Sequence, residues 1–345
     1  MNAISDTELH RRHVIIAMWL FGVIAMVFAM VVLGGVTRLT HSGLSMVEWR
    51  PVTGWLPPMG EAEWMAVFDK YKLSPEFQKV NKHMDLAGFK AIFWFEFLHR
   101  LWGRLIGVVF FVPFVFFLLR GWLNRDLTRK MLLMFVLGGL QGVMGWYMVK
   151  SGLVDRPDVS QYRLTAHFSL ALVIIGVIEW VALGLLFKYG SKDGVARPLK
   201  AFAMLVFVWA FVTALSGGFV AGLDAGFAYN TFPLMDGAFF PADLYQLSPV
   251  YLNLFEDILS VQFNHRILAE ALLVLVAVLW FRARQSDLTP RASLAVNCLA
   301  GVVLIQVILG ITTLLLVIPV PLAAAHQAVA VVVFISALWT ARELA

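Results

Sequence analysis

Long apolar runs recur along the whole chain, and this recurrence limits the fold more than any other feature. A hydrocarbon core of about 30 Å needs about 20 consecutive apolar residues in a helix. Eight stretches meet that length: residues 13–36, 89–119, 131–149, 164–187, 201–222, 258–281, 293–317 and 322–341. They are read as membrane-spanning helices. The chain is 60% hydrophobic and 14% charged, whereas soluble domains are about 45–50% apolar and about 25% charged. An all-α integral membrane protein is therefore expected. The first run is too long for a signal-peptide core, has no small-residue cleavage site behind it, and lacks an Arg- and Ser-rich leader, so it is expected to persist as the first span. One cysteine, Cys298, excludes an intrachain disulfide and any all-thiolate metal site made by this chain alone.

Basic residues set the expected orientation. Arg11 and Arg12, the 120–130 loop (Arg120, Arg125, Arg129, Lys130), the 188–200 loop (Lys188, Lys192, Arg197, Lys200), the 282–291 loop (Arg282, Arg284, Arg291) and Arg342 fall on one side. The opposite side holds a long loop, 38–88, in which six bases balance six acids, and a 223–257 loop with five acids and no base. Both termini are expected in the cytoplasm, with the long loops outside.

The chain also repeats. Gly34-Gly35 and Gly43 match Gly217-Gly218 and Gly226 at an offset of 183 residues, and the box Glu96-Phe97-Leu98-His99-Arg100 matches Gln262-Phe263-Asn264-His265-Arg266 at 166. Gln141 and Gly145 match Gln306 and Gly310 at 165, and His167 matches His326 at 159. The order of these matches predicts two duplicated halves, 1–190 and 191–345. Each half is expected to be a four-helix bundle. An even number of spans in each gives them the same topology, related by a pseudo-two-fold along the membrane normal.

Ionisable groups inside a membrane are costly and usually functional. His10, His13, His41 and His83 read as surface residues. His99, His167, His265 and His326 fall in the four spans that run from outside to inside, each one to three turns from its outer end, two per half. A single intramembrane histidine is more often a hydrogen-bonded core residue. Matched pairs in both halves point instead to metal. Imidazole suits iron, copper and zinc, and histidines on facing helices hold haem well. Zinc or copper would want further ligands, and only the first half offers one, Glu96. The expectation is two bis-histidine haem sites, with Gly103, Ala269 and Ala323 leaving room for the macrocycle.

Arg100, Arg163 and Arg266 stand beside these histidines. Their guanidinium forks either meet haem propionates or close helix salt bridges, Arg100 with Glu96 and Arg266 with Glu270. Where the halves differ, Glu96 is replaced by Gln262. A carboxylate three residues before His99 shares its helix face and can act as a base or stabilise a developing cation, which an amide cannot; the plain alternative is that it neutralises Arg100. Cys298 lies at the cytoplasmic start of span seven, away from the histidines, so thiolate-ligated oxygen activation is excluded.

The stretches GGVTRLTHSGLSM, EFLHR, LGGLQGVMGW, RLTAHFSLAL, FNHR and AAAHQAVA together resemble the heme A synthase family over essentially the entire chain. The resemblance implies an eight-span membrane oxidoreductase that converts the C8 methyl of heme O to a formyl group by successive hydroxylations with water-derived oxygen. It implies that His99 and His167 bracket the substrate haem, that His265 and His326 ligate a permanent haem b, and that Glu96 is catalytic. The outer loops lack the cysteine pair of many bacterial members, which is similar to the cysteine-poor alphaproteobacterial and mitochondrial group, and a bacterial inner membrane is expected. Candidate partners are heme O, heme O synthase, cytochrome oxidase assembly factors, lipid and further copies of the chain, with no nucleic acid. The competing expectations are a di-haem quinol-oxidising electron-transfer protein and a secondary transporter. The first would stack its haems towards opposite membrane faces, and the second would need discontinuous spans and a polar midplane site, where few polar residues apart from Glu179 lie deep.

Overall fold

The structure, a computed structural model, describes residues 6–50, 52–153, 157–187 and 197–345. Lys188 and Lys192 of the orientation count, and the expected boundary between the halves, lie outside the described residues. Among the described residues ten α-helices follow in order: α1 (Asp6–Leu39), α2 (Glu61–Lys72), α3 (Pro75–Lys79), α4 (Leu86–Leu119), α5 (Arg125–Gly152), α6 (Gln161–Leu186), α7 (Arg197–Gly222), α8 (Ile258–Arg284), α9 (Pro290–Leu315) and α10 (Val320–Glu343). Among the described residues there is no strand beyond one isolated bridge, Met235 to Ala238.

Seven of these, α1, α4, α5, α6, α7, α9 and α10, are long and apolar enough to cross a membrane, so the chain is an all-helical, multi-pass membrane protein. The eighth long helix, α8, has 27 residues and therefore a length of about 40 Å. It is not among the seven, and Asn264, His265, Arg266 and Glu270 lie along its first half.

Local chemistry explains the helix ends. Asp85, Asn124 and Asp257 cap α4, α5 and α8 by accepting from Gly88, Leu127 and Ser260 N–H, each at 2.8 Å. Thr289 caps α9 ahead of Pro290 in its first turn, where a proline loses no hydrogen bond. After α4, Gly121 adopts φ +63°, and Trp122 N–H reaches back to Phe117 O at 3.0 Å, the αL ending that glycine favours. On α5, Leu127, Met131 and Met134 are buried, whereas Leu133, Val136, Leu140 and Val143 are exposed. Both sets follow helical spacing, and the exposed one is a lipid-facing stripe.

The chain forms two compact units, Met1–Ala25 with Leu172–Ala345, and Met26–Ala171; the divisions fall within α1 and α6. In the first, Leu199, Val206, Leu272, Leu279, Leu299 and Val333 form a core shared by α7, α8, α9 and α10. Arg342 is only 4% exposed. Its guanidinium lies 4.8 Å from the Trp180 ring, so this base is packed into the protein. In the second unit the long loop between α1 and α4 folds into a lobe, with Trp64, Phe68 and Tyr71 from α2 packed on Phe89, Phe93 and Phe97 of α4.

Candidate functional site

Each of the four histidines expected inside the membrane, His99, His167, His265 and His326, lies against a glycine of a neighbouring long helix. A Cβ on Gly34 (α1) would fall 2.8 Å from Cε1 of His99 (α4), and one on Gly145 (α5) 3.1 Å from Cε1 of His167 (α6). The second set is Gly217 (α7) against His265 (α8) at 3.2 Å, and Gly310 (α9) against His326 (α10) at 2.9 Å. In all four the leading atom is Cε1, so the rings are turned alike. At Gly34 and Gly310 a Cβ would force the ring to shift, and at Gly145 and Gly217 it would crowd it.

The ring centroids of His265 and His326 are 6.5 Å apart, with planes at 89°. One metal ion between two imidazoles needs about 2 Å per metal–nitrogen bond and about 1 Å from each nitrogen to its centroid, about 6 Å in all. His99 and His167 are within electrostatic reach of one another, but no ring contact joins them among the described residues. Nδ1 of His99, His167 and His326 is buried with no hydrogen-bond partner in the protein, as are Oε1 of Gln141 and of Gln306; such orphans are rare and call for an explanation. Nδ1 of His265 lies 2.8 Å from Ser216 Oγ. Gln141 Nε2 donates to His167 O at 3.1 Å and lies 3.5 Å from His167 Nε2.

Among the described residues no group of three or more His, Cys, Asp or Glu forms a metal-ligand cluster. A donor set of two imidazoles falls short of the four ligands of a structural zinc or the three of a catalytic one but is sufficient for haem iron, whose other ligands come from the macrocycle. The paired rings, the glycine cradles and the unpartnered nitrogens all fit haem.

The arginines beside the histidines fasten loops. Arg100 donates from Nη1 to Glu48 O and from Nη2 to Met46 O, both at 2.8 Å, and reaches Glu96 Oε1 at 2.5 Å. Arg266 donates from Nη1 to Thr231 O and from Nη2 to Tyr229 O, both at 2.8 Å, and from Nη2 to Gln262 Oε1 at 3.0 Å. Met46 and Glu48 correspond to Tyr229 and Thr231 at the same 183-residue offset as Gly34 and Gly217. Of the two readings for Arg100, the salt bridge with Glu96 is present; Arg266 turns to Gln262, and its Nε is buried without a partner. Arg163 donates to Tyr147 O at 2.9 Å and lies 3.8 Å from that ring, beside an open groove lined by Met144, Ser160 and Tyr162.

Glu96 is 3% exposed. Its Oε2 accepts from Ser45 Oγ and Met46 N–H, both at 2.7 Å. Gln262, also 3% exposed, instead donates from Nε2 to Ala225 O at 2.7 Å. The four glycines and Ser45 were not assigned to the site from sequence, although the offsets that paired Gly34 with Gly217 and Gly145 with Gly310 were the signal that marked them. Gly103, expected to make room for a macrocycle, has Met30 Cε 3.2 Å from where its Cβ would lie.

Residues 17–338 match the family described as COX15-CtaA, cytochrome oxidase assembly protein. The chain is similar to a heme A synthase of Nitrosospira multiformis, 52% identical over 95% of this chain and 93% of that one. Against a heme A synthase of Nitrosomonas eutropha it is 51% identical over 99% and 97%. Against the heme A synthase COX15 of Arabidopsis thaliana it is 42% identical over 91% of this chain and 71% of the relative.

Proposed function

Since this chain belongs to the COX15-CtaA family of cytochrome oxidase assembly proteins, we propose that it is a heme A synthase, oxidising the C8 methyl of heme O to a formyl group in a bacterial inner membrane. The observation that carries this reading is the pairing of buried histidines on glycines, twice over, in a chain about half identical to proteins of that name. We take α8 as the eighth span, with its polar first half turned to the bundle interior, and read the helices as two duplicated four-helix halves with cytoplasmic termini and haem sites towards the periplasm.

His265 and His326 would hold haem b, which when bound accepts electrons one at a time and hands them to a membrane-soluble oxidant. His99 and His167 would bracket heme O as substrate. The lack of a ring contact between them suits a site that must admit and release its occupant, whereas the closed pair at 6.5 Å suits a permanent one. Glu96, held by Ser45, Met46 and Arg100, fixes a carboxylate on the face of α4 that carries His99. There it can orient a water for attack and stabilise positive charge developing at the methyl carbon. Arg100 and Arg266 hold the outer loops over their sites, and Arg163, at the edge of an open groove, is the best placed of the three to meet a propionate.

The test is co-expression with a heme O synthase, followed by haem extraction and chromatography. Heme A and its hydroxymethyl precursor are expected. Their absence, with haem b still bound, would favour the di-haem electron-transfer reading.

A further inference from the structure

The outer lobe buries a carboxyl that the reading above leaves unused. Tyr71 is 0% and Glu76 5% exposed, inside an otherwise aromatic core in which Tyr71 stacks on Phe89 at 5.0 Å. Tyr71 O–H donates to Glu76 Oε2 at 3.0 Å, and Asn81 Nδ2 donates to the Tyr71 oxygen at 2.8 Å. Burying a carboxyl is costly, and packing alone gives the lobe no reason to do so.

Glu76 and Tyr71 are both within electrostatic reach of Glu96. Met46 joins the two groups, since its N–H donates to Glu96 and its side chain packs on the lobe core. The charged and titratable groups facing Glu76 are Tyr71 from α2, Glu96 with its partner Arg100 from α4, and Asp158 from the segment between α5 and α6. Burial first, then the negative charges of Glu96 and Asp158, raise the Glu76 carboxyl from 4.5 to about 7 against the opposing hydrogen bond from Tyr71. The loop of residues 223–257 carries the two 3₁₀ turns Ala225–Phe227 and Val250–Leu254 and a smaller apolar cluster in which Met235, Tyr229 and Leu244 meet Leu259 and Phe263. Among the described residues that loop holds no buried carboxyl.

Resting on the oxidation proposed above, we propose that Glu76 is the proton-relay residue of this protein, receiving protons released beside Glu96 and passing them outward through the α2–α3 lobe. Each hydroxylation breaks a C–H bond, forms a C–O bond to a water, and releases two protons and two electrons. The second product, a geminal diol, loses water to give the formyl group. The electrons need an acceptor, a one-electron role that haem b held by His265 and His326 would supply with a membrane-soluble oxidant behind it, and the protons need a separate exit. The oxygens of Glu96 already accept from three donors, Ser45, Met46 and Arg100. Glu76 has one donor, Tyr71, whose hydroxyl can turn.

Infrared difference titration of the purified protein, without turnover, tests this directly. Wild type should show a carboxyl deprotonating near pH 7 that is missing in Glu76→Gln. Its midpoint should move down in Glu96→Gln, which removes a like charge, and up in Tyr71→Phe, which removes a stabilising donor. With heme O supplied, Glu76→Gln should form heme A about 100-fold more slowly, the low end of what positioned acid–base groups contribute, with haem b content unchanged. Glu76→Asp should keep the activity with a displaced pH profile. A carboxyl band that persists in Glu76→Gln, or wild-type rates across the neutral range in that variant, would overturn the relay. If wild type itself forms no heme A, the oxidation reading fails instead, and the infrared titration still decides whether Glu76 holds the proton.

Discussion

The Glu96–Arg100 and Gln262–Arg266 boxes stand on one hydrogen-bond frame and differ in the polarity of a single side chain. In both, an arginine grips two loop carbonyls two residues apart and the side chain four residues before it. The amide of Gln262 then donates to a loop carbonyl. The carboxylate of Glu96 can only accept, and the loop opposite it presents Ser45 Oγ and Met46 N–H. The two matching loops thus present different chemical groups at one position. Both groups fasten a loop, and only the carboxylate also pairs its charge with Arg100. Under the function proposed above, that charge also acts on whatever occupies the space beside His99.

The sharpest way to break that comparison is to make the first half resemble the second. Glu96→Gln should lower heme A formation by about 100-fold or more while haem b stays bound, and Gln262→Glu should leave product formation nearly unchanged. Because the new amide would confront Ser45 or Met46 donor to donor, Ser45→Ala is the control. It removes one hydrogen bond, worth about 1 kcal/mol, and leaves the carboxylate. Equal losses in Ser45→Ala and Glu96→Gln would assign the effect to the loop. Next in size come the ligands. His265→Ala or His326→Ala should remove most haem b from protein made without heme O, as read by haem per polypeptide, whereas the same change at His99 or His167 should not. Full haem content in a His265→Ala/His326→Ala double variant would sink the assignment.

Much of this was legible in the sequence because the relevant signals are periodic or duplicated. Apolar length picked out seven helices long and apolar enough to cross a membrane, α8 not being among them, and the repeat picked out the histidines that the structure sets on glycines. The expected spans were shorter than the helices by several residues at many ends, because polar caps such as Asp85 and Asn124 continue the helix beyond the apolar run. Two things were hidden. Arg100 and Arg266 were read as meeting haem propionates or closing helix salt bridges, and no sequence pattern reveals that loop carbonyls 52 and 35 residues away in the chain would occupy them. Glu76 looked like any other acid in a charge-balanced loop. Its burial depends on α2 and α3 folding back on α4 through aromatic contacts between residues distant in sequence, such as Phe68 and Phe89 at 5.1 Å.

Smaller substitutions sharpen the comparison without touching a ligand. A methyl group on Gly310 or Gly34 would sit 2.9 or 2.8 Å from an imidazole carbon, closer than contact allows, so the ring must shift. Gly310→Ala should lower haem b content in part, and Gly34→Ala should slow heme A formation while leaving haem b intact. If both variants lost haem b equally, the division of labour between the pairs would fail.

The smallest effect concerns a pair of tryptophans that exchange roles between the halves. Trp102 on α4 donates to Met26 O on α1 at 2.9 Å. Trp209 on α7 donates to Leu268 O on α8 at 3.0 Å. By the offsets of 183 and 166, Met26 corresponds to Trp209 and Trp102 to Leu268, so the same two positions are joined in each half, with the donor on opposite helices. The bond must matter more than the helix that supplies it, yet each acceptor carbonyl belongs to a helix whose own ladder can still engage it. Trp102→Phe and Trp209→Phe should therefore each cost only about 1 kcal/mol, seen as a modest fall in the thermal midpoint of the detergent-solubilised protein with haem content and product unchanged. A much larger loss from one of them would show that the duplicated position has become specialised in that half.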